Sequence, residues 1–273
     1  FSTTYGGTVA TELTAVPVIL DKNREVAAEE FQGLLRARGM TVRVAAVERL
    51  GARVYMVRDH AAWPDLRSTG RLIDQRDAAS RRVYMKERMR KAEEAVWVEE
   101  IPPEKDRLYV IVPNATDSRG LALFPVLQPF GISNWGLPWL STHIVSPRAT
   151  VRGQRLSEAV AVAGLRAASD GRPRAVVLVL SDKAVDESWH SPSSVREYLK
   201  ALRVPLVVWS PVREISSNPW GEAETVTGIG GLNRASRRLR NGLRQQRIVW
   251  VEGNHLPHEI ELADNERGIR LAE

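Results

Sequence analysis

The pattern of apolar and polar positions centres on Arg174-Ala-Val-Val-Leu-Val-Leu-Ser181-Asp182, an unbroken aliphatic run closed by a small polar residue and a carboxylate. A run this long and rich in β-branched residues predicts a parallel strand buried on both faces. Partners and ligands of open α/β sheets dock outside the carboxyl ends of the strands. Function is therefore expected at Ser181-Asp182 and along the segment from Lys183 to Asp186.

Taken in order, Thr14 to Leu20 reads as a strand whose Pro17 suits an edge or early position, Val26 to Arg38 as a short helix, and Thr41 to Val47 as a second strand. Arg53 to Val57 is another apolar strand, followed by a long linker from Ala61 to Arg76 and a helical stretch from Asp77 to Val96. Asp106 to Val112 is a strand with Leu121 to Val126 as its hairpin partner, and Gln128 to Gly153 is a loop rich in Gly, Pro and Trp. Loops of that length usually have a function. Helices are expected over Leu156 to Ala168, Ser194 to Arg203 and Asn233 to Gln246, with a turn at Gly228 to Gly231. Strands are expected at Pro205 to Trp209, Arg247 to Val251 and His258 to Leu262. The alternation predicts an α/β fold: a doubly wound, mostly parallel sheet flanked by helices, with a small N-terminal β extension. The expected division is 1–50 for the extension and 51–273 for the main domain, whose last strands are candidates to pair with the extension.

Composition changes this picture little. The chain has 273 residues, a formal net charge of +6 and no cysteine, so disulfides, iron–sulfur clusters and thiolate zinc sites are excluded. The positive charge is almost all arginine, which suits fixed contacts to carboxylates and carbonyls as well as nucleic acid. One local cluster, Arg234, Arg237, Arg238, Arg240 and Arg244, reads as a solvated helix face, so nucleic acid is not the expected partner. No apolar run approaches the roughly 20 residues that span a bilayer. A first residue of Phe rather than Met is expected of a processed or trimmed chain, loss of a secretory signal peptide being one such route.

Five segments in sequence resemble the von Willebrand factor type A fold, in the bacterial secreted group with a short leading β region. Val16 to Asn23 with Glu30-Phe31 is similar to the leading segment, and Arg53 to Asp59 to the first sheet strand. Gly153-Gln-Arg-Leu-Ser-Glu-Ala-Val160 is similar to that group's Gly-Thr-x-Leu-x-Asp-Ala helix start. Arg174 to Asp182 and Leu202 to Val208 are similar to the central and next strands. The resemblance covers nearly the whole chain, and it implies a divalent cation held at the carboxyl edge by Asp-x-Ser-x-Ser, a Thr and an Asp. Here the first loop reads Asp59-His60-Ala61-Ala62-Trp63, the Thr position is Gln154, and Asp182 is retained. Two carboxylates without hydroxyls make a poor magnesium site. No cofactor is expected; a divalent cation, if bound, would use Asp59, Asp182 and Gln154.

Other chemistry is weaker. Asp59, His60, Asp182, Asp186 and His190 form a zinc-like set whose plainer reading is loop hydrogen bonding by the carboxylates, with both histidines facing solvent. His255 and His258 lie beside a strand, and no spacing announces a catalytic triad or a phosphate loop. Tryptophan stands out, because Trp63, Trp135, Trp139, Trp189 and Trp220 all fall in segments read as loops after strand carboxyl ends. They either pack the loops together in place of the metal or form a docking surface. The expected function is a non-enzymatic protein-protein interaction or scaffold module with no small-molecule substrate: a constitutive subunit of a larger assembly. The resemblance implies an extracytoplasmic setting, periplasmic or secreted, and the assembly can be peripheral to a membrane. A metal-dependent adhesion receptor and a nucleic-acid-binding module are the alternatives, and a cryptic hydrolase is more remote.

Overall fold

A computed structural model describes residues 12–76, 104–114, 124–127, 129–132, 136–144, 151–212, 218–263 and 268–273. Strands β1 to β13 are, in chain order, Leu13–Leu20, Leu35–Ala37, Met40–Thr41, Val44–Glu48, Arg53–Arg58, Arg107–Ile111, Phe130–Gly131, Arg174–Val179, Leu206–Ser210, Ala223–Thr225, Gln246–Glu252, Ile260–Leu262 and Ile269–Leu271. Helices α1 to α5 are Trp63–Arg76, Gly136–His143, Leu156–Ser169, Pro192–Ala201 and Gly228–Gln245.

The six-stranded sheet has the order β10-β9-β8-β5-β6-β7, and every pairing is parallel except that of β7. At its centre β5 and β8 are buried at every residue, as their continuous apolar sequences require. On β8, Val176 and Leu178 face α3 and α4. The alternate residues Ala175, Val177 and Val179 face α1, α2 and α5. The protein is thus an α/β domain with helices on both faces. Glycines set two helix contacts. A Cβ on Gly164 would lie 2.9 Å from Leu199, so its absence lets α3 meet α4, and Gly70 lets α1 meet Thr142 of α2 in the same way.

A second, antiparallel sheet has the order β13-β1-β11-β4, with a three-stranded sheet β12-β2-β3 beside it. Val16, Val18, Leu20, Phe31, Leu35, Val249 and Ile260 belong to their common core. This β unit meets the amino end of the large sheet. There the Gln246 side chain accepts from Arg174 N at 2.8 Å and donates to Arg174 O at 3.0 Å, tying the start of β8 to the start of β11. The carboxyl edge lies at the opposite pole of the large sheet.

Several elements differ from the sequence reading. Residues 26–38 hold only a 3-10 turn, Ala28–Phe31, before β2. The linker expected from Ala61 to Arg76 is α1, entered through a 3-10 turn at His60–Ala62. Pro64 sits in its first turn, where a missing N–H costs nothing. The loop expected over residues 128–153 contains β7 and α2, and the turn at residues 228–231 is the first turn of α5. Of the expected hairpin partner, Val126 forms a single antiparallel bridge to Ile111. The helix expected over residues 77–96 lies outside the described residues.

Candidate functional site

Strand β5 leads through α1 to β6 on one side, whereas β8 leads through α4 to β9 on the other. Their carboxyl ends therefore flank the crevice where doubly wound sheets bind ligands. Asp59 follows β5 and is fully buried in that crevice. Its Oδ1 accepts from Ala61 N at 3.0 Å and Gln154 Nε2 at 3.0 Å. Its Oδ2 accepts from Ser181 N at 3.2 Å and from the Ser181 hydroxyl. Four donors thus surround one carboxylate, about as many as its lone pairs accept.

Gln154 is also fully buried, immediately before α3. His60 N donates to its Oε1 at 2.7 Å, which fixes the amide orientation, because a backbone N–H requires the oxygen. The amide nitrogen therefore faces Asp59 and also donates to Val151 O at 3.2 Å. A divalent cation needs oxygen ligands on all sides, and this position presents N–H groups to Asp59 instead. The residues do not fit the cation that the resemblance implies. Asp182 is exposed, and its neighbour Ser181 is the residue that meets Asp59.

In the rest of the edge Asp186 accepts from a helix N-terminus, while Glu158 and Glu187 accept from loop amides. Asp186 accepts from Leu156 N at 2.9 Å and Ser157 Oγ at 2.8 Å, filling the first turn of α3. Glu158 accepts from Trp189 N at 2.7 Å and His190 N at 3.3 Å. Burial alone would push its carboxyl up. Hydrogen bonds from Ser188, Trp189 and His190, with Arg155 nearby, more than offset this and hold it below the usual glutamate range. Glu187 N donates to Gln154 O at 2.7 Å, and Gly153 N donates to Glu187 Oε1 at 2.9 Å. The segment from Ser181 to Ser191 is thereby fastened to Gln154 and to the start of α3.

The tryptophans divide. Trp220 is buried, and Trp63 and Trp139 are half-buried against the core, the former under Arg58 and the latter stacked on His143. Trp63 and Trp139 lie in helices rather than loops. Trp135 lies outside the described residues. Trp189 alone of the four described is open, with 86% of its surface exposed, while the Arg155 guanidinium lies 4.5 Å from the ring centroid. Val185 and Val151, on the same group of loops, are also exposed.

Sequence reasoning missed Arg58 and His143. Arg58 ends β5 and donates to Ser141 O at 3.2 Å and Ile144 O at 2.8 Å, at the carboxyl end of α2; burial pulls its pKa down to about 10. A charged residue closing an otherwise apolar strand was the available signal. His143 Nε2 lies 3.1 Å from Asp74 Oδ1, which joins α2 to α1. The zinc-like set does not assemble, since Asp59 and Asp186 belong to separate networks and no metal-binding group of three His, Cys, Asp or Glu occurs among the described residues. Arg234, Arg237, Arg238 and Arg244 form the exposed face of α5, and Arg238 is paired with Glu224 at 2.8 Å. No helix among the described residues is long and apolar enough to cross a membrane.

Fold and site together define a mostly parallel α/β domain whose switch-point crevice is closed by its own side chains. No family model matches the chain, and no curated protein matches it.

Proposed function

We propose that the chain is a von Willebrand type A-like docking module, a metal-independent and constitutive subunit of an extracytoplasmic protein assembly. One observation carries the reading: Trp189 is 86% exposed on a segment tied to the start of α3 by six hydrogen bonds that Glu158, Asp186, Glu187 and Gln154 accept. An aromatic ring held in place before binding loses little freedom on docking, and such anchors commonly contribute about 2 kcal/mol or more. Filling of the crevice by Gln154 supports binding without a cation switch.

Affinity isolation of the tagged chain from its native source tests this. A stoichiometric partner is expected to remain in the presence of chelator and to be lost with Trp189→Ala. Release by chelator, or full retention by Trp189→Ala, contradicts the proposal.

A further inference from the structure

The positive charge of the chain is concentrated on one helix. Against a net charge of +6 for all 273 residues, α5 carries Arg234, Arg237, Arg238, Arg240 and Arg244 and no acidic residue. Helices α3 and α4 mix signs, with Glu158 and Arg166 on the first and Arg196, Glu197 and Lys200 on the second. Leu232, Ala235, Leu239 and Leu243 seat one side of α5 in the core. On its other side Arg234, Arg237, Arg238 and Arg244 are exposed, with Asn241 among them. Steps of three and four positions keep these side chains on one stripe, about 15 Å long at the helical rise.

Arg238 pairs with Glu224 at 2.8 Å, whereas Arg234, Arg237 and Arg244 are hydrated and form no ion pair among the described residues. A single-sign row of guanidiniums complements a surface of repeated phosphates, which the planar fork meets bidentately. Two features favour lipid headgroups over nucleic acid. The stripe offers no aromatic ring on which a base could stack. Helix α5 also packs against both α1 and α2 within one layer on the sheet, so it presents one side to a plane instead of a free rod to a duplex groove. In the same layer α1 exposes Arg67, Arg71 and Leu72, with Asp65 as its exposed carboxylate.

We propose that the arginine stripe of α5 seats the domain on an anionic phospholipid surface, its guanidiniums at the level of the headgroup phosphates. The apolar side of α5 is already used by the core, so the contact is electrostatic and reversible, without insertion into the acyl layer. Helix α5 covers the face of the sheet opposite to α3, whose start holds the Trp189 segment. A domain resting on α5 therefore leaves Trp189 open to a protein partner. The two surfaces share no residue, and neither reading rests on the other.

The test is flotation of the full chain with vesicles of phosphatidylcholine containing phosphatidylglycerol, beside vesicles of phosphatidylcholine alone and a duplex DNA. Binding is expected to the anionic vesicles only and should fall as salt is raised. An arginine at a charged membrane surface contributes about fivefold in affinity, so Arg234→Gln, Arg237→Gln and Arg244→Gln combined should weaken binding on the order of a hundredfold. A charge-matched variant combining Arg166→Gln, Arg196→Gln and Lys200→Gln, exposed positions of α3 and α4, should stay within about twofold of the parent, as should Trp189→Ala. Absence of binding to anionic vesicles, equal weakening by the two triple variants, or loss of binding with Trp189→Ala would overturn the proposal. Tighter, stripe-dependent binding to the duplex than to the vesicles would overturn it in favour of nucleic acid.

Discussion

The two ends of the six-stranded sheet are sealed by opposite chemistries. At the amino end the closing groups are buried arginines. Arg174 donates to Ala168 O, Leu202 O and Arg203 O, and Arg247 donates to Arg244 O and Gln246 O. At the carboxyl end they are acceptors: Asp59, Asp186, Glu158 and the Gln154 carbonyl. For Asp59, Asp186 and the Gln154 carbonyl, which accept from amides at the starts of helical segments, the difference follows from helix direction. In a parallel α/β layer the connecting helices begin at the carboxyl edge and finish at the amino edge, so orphan N–H groups collect at one end and orphan C=O groups at the other. Arg58 supports the rule, because α2 ends near the carboxyl edge and an arginine meets it there as well. Among the described residues, Arg53, Arg58, Arg174, Arg203 and Arg247 are buried.

Substitutions can break this contrast at either end. Arg174→Met leaves one buried and two part-buried carbonyls without their donor and should cost about 3 kcal/mol, read by chemical denaturation. The guanidinium is desolvated, with its pKa lowered to about 10, yet remains charged at neutral pH. Asp59→Asn turns an amide NH2 toward groups that are themselves donors and should cost about 2 kcal/mol by the same measurement. Gln154→Glu places a second carboxylate against Asp59; in chelator it should destabilise by about 1–3 kcal/mol, and millimolar magnesium should restore part of the loss in a thermal melt.

The contrast also has a pH signature. The Glu158 carboxyl is held below its ordinary range in the folded state, so its contribution is present above the unfolded pKa of about 4.3 and is lost as pH falls through the lower folded value. Amide exchange at Trp189 and His190 should accelerate in that acid window, while β11 at the amino end stays protected. The smallest stability effect is expected from Trp189→Ala, within about 0.5 kcal/mol of the parent, because the ring covers almost nothing.

The central sheet was legible in the sequence because β5 and β8 carry runs of apolar residues that no solvated element tolerates. Helix α1 was not. Trp63-Pro64 opens it and Gly70 interrupts it, so its sequence resembles a linker, whereas Gly70 is required by the close approach of Thr142. Helix α2 was hidden in the same way, by Pro138 in a Gly- and Trp-rich stretch. At the site, Asp59 was legible as a carboxylate closing a buried strand. The role of Gln154 was not, because its reach to Asp59 spans 95 positions of sequence and only the fold brings the two together. Burial of Trp220 and exposure of Trp189 were equally indistinguishable, since both lie in short polar segments.

The account turns on the claim that Gln154, rather than a cation, fixes the carboxyl edge. The most direct measurement is hydrogen exchange at the His60 and Ser181 amides, which donate to Gln154 and Asp59, in chelator and in millimolar magnesium, for the parent and for Gln154→Ala. The account predicts equal, slow exchange in both solutions for the parent and faster exchange in Gln154→Ala. Slowing of the parent's exchange by magnesium, or an unaltered rate in Gln154→Ala, would contradict it.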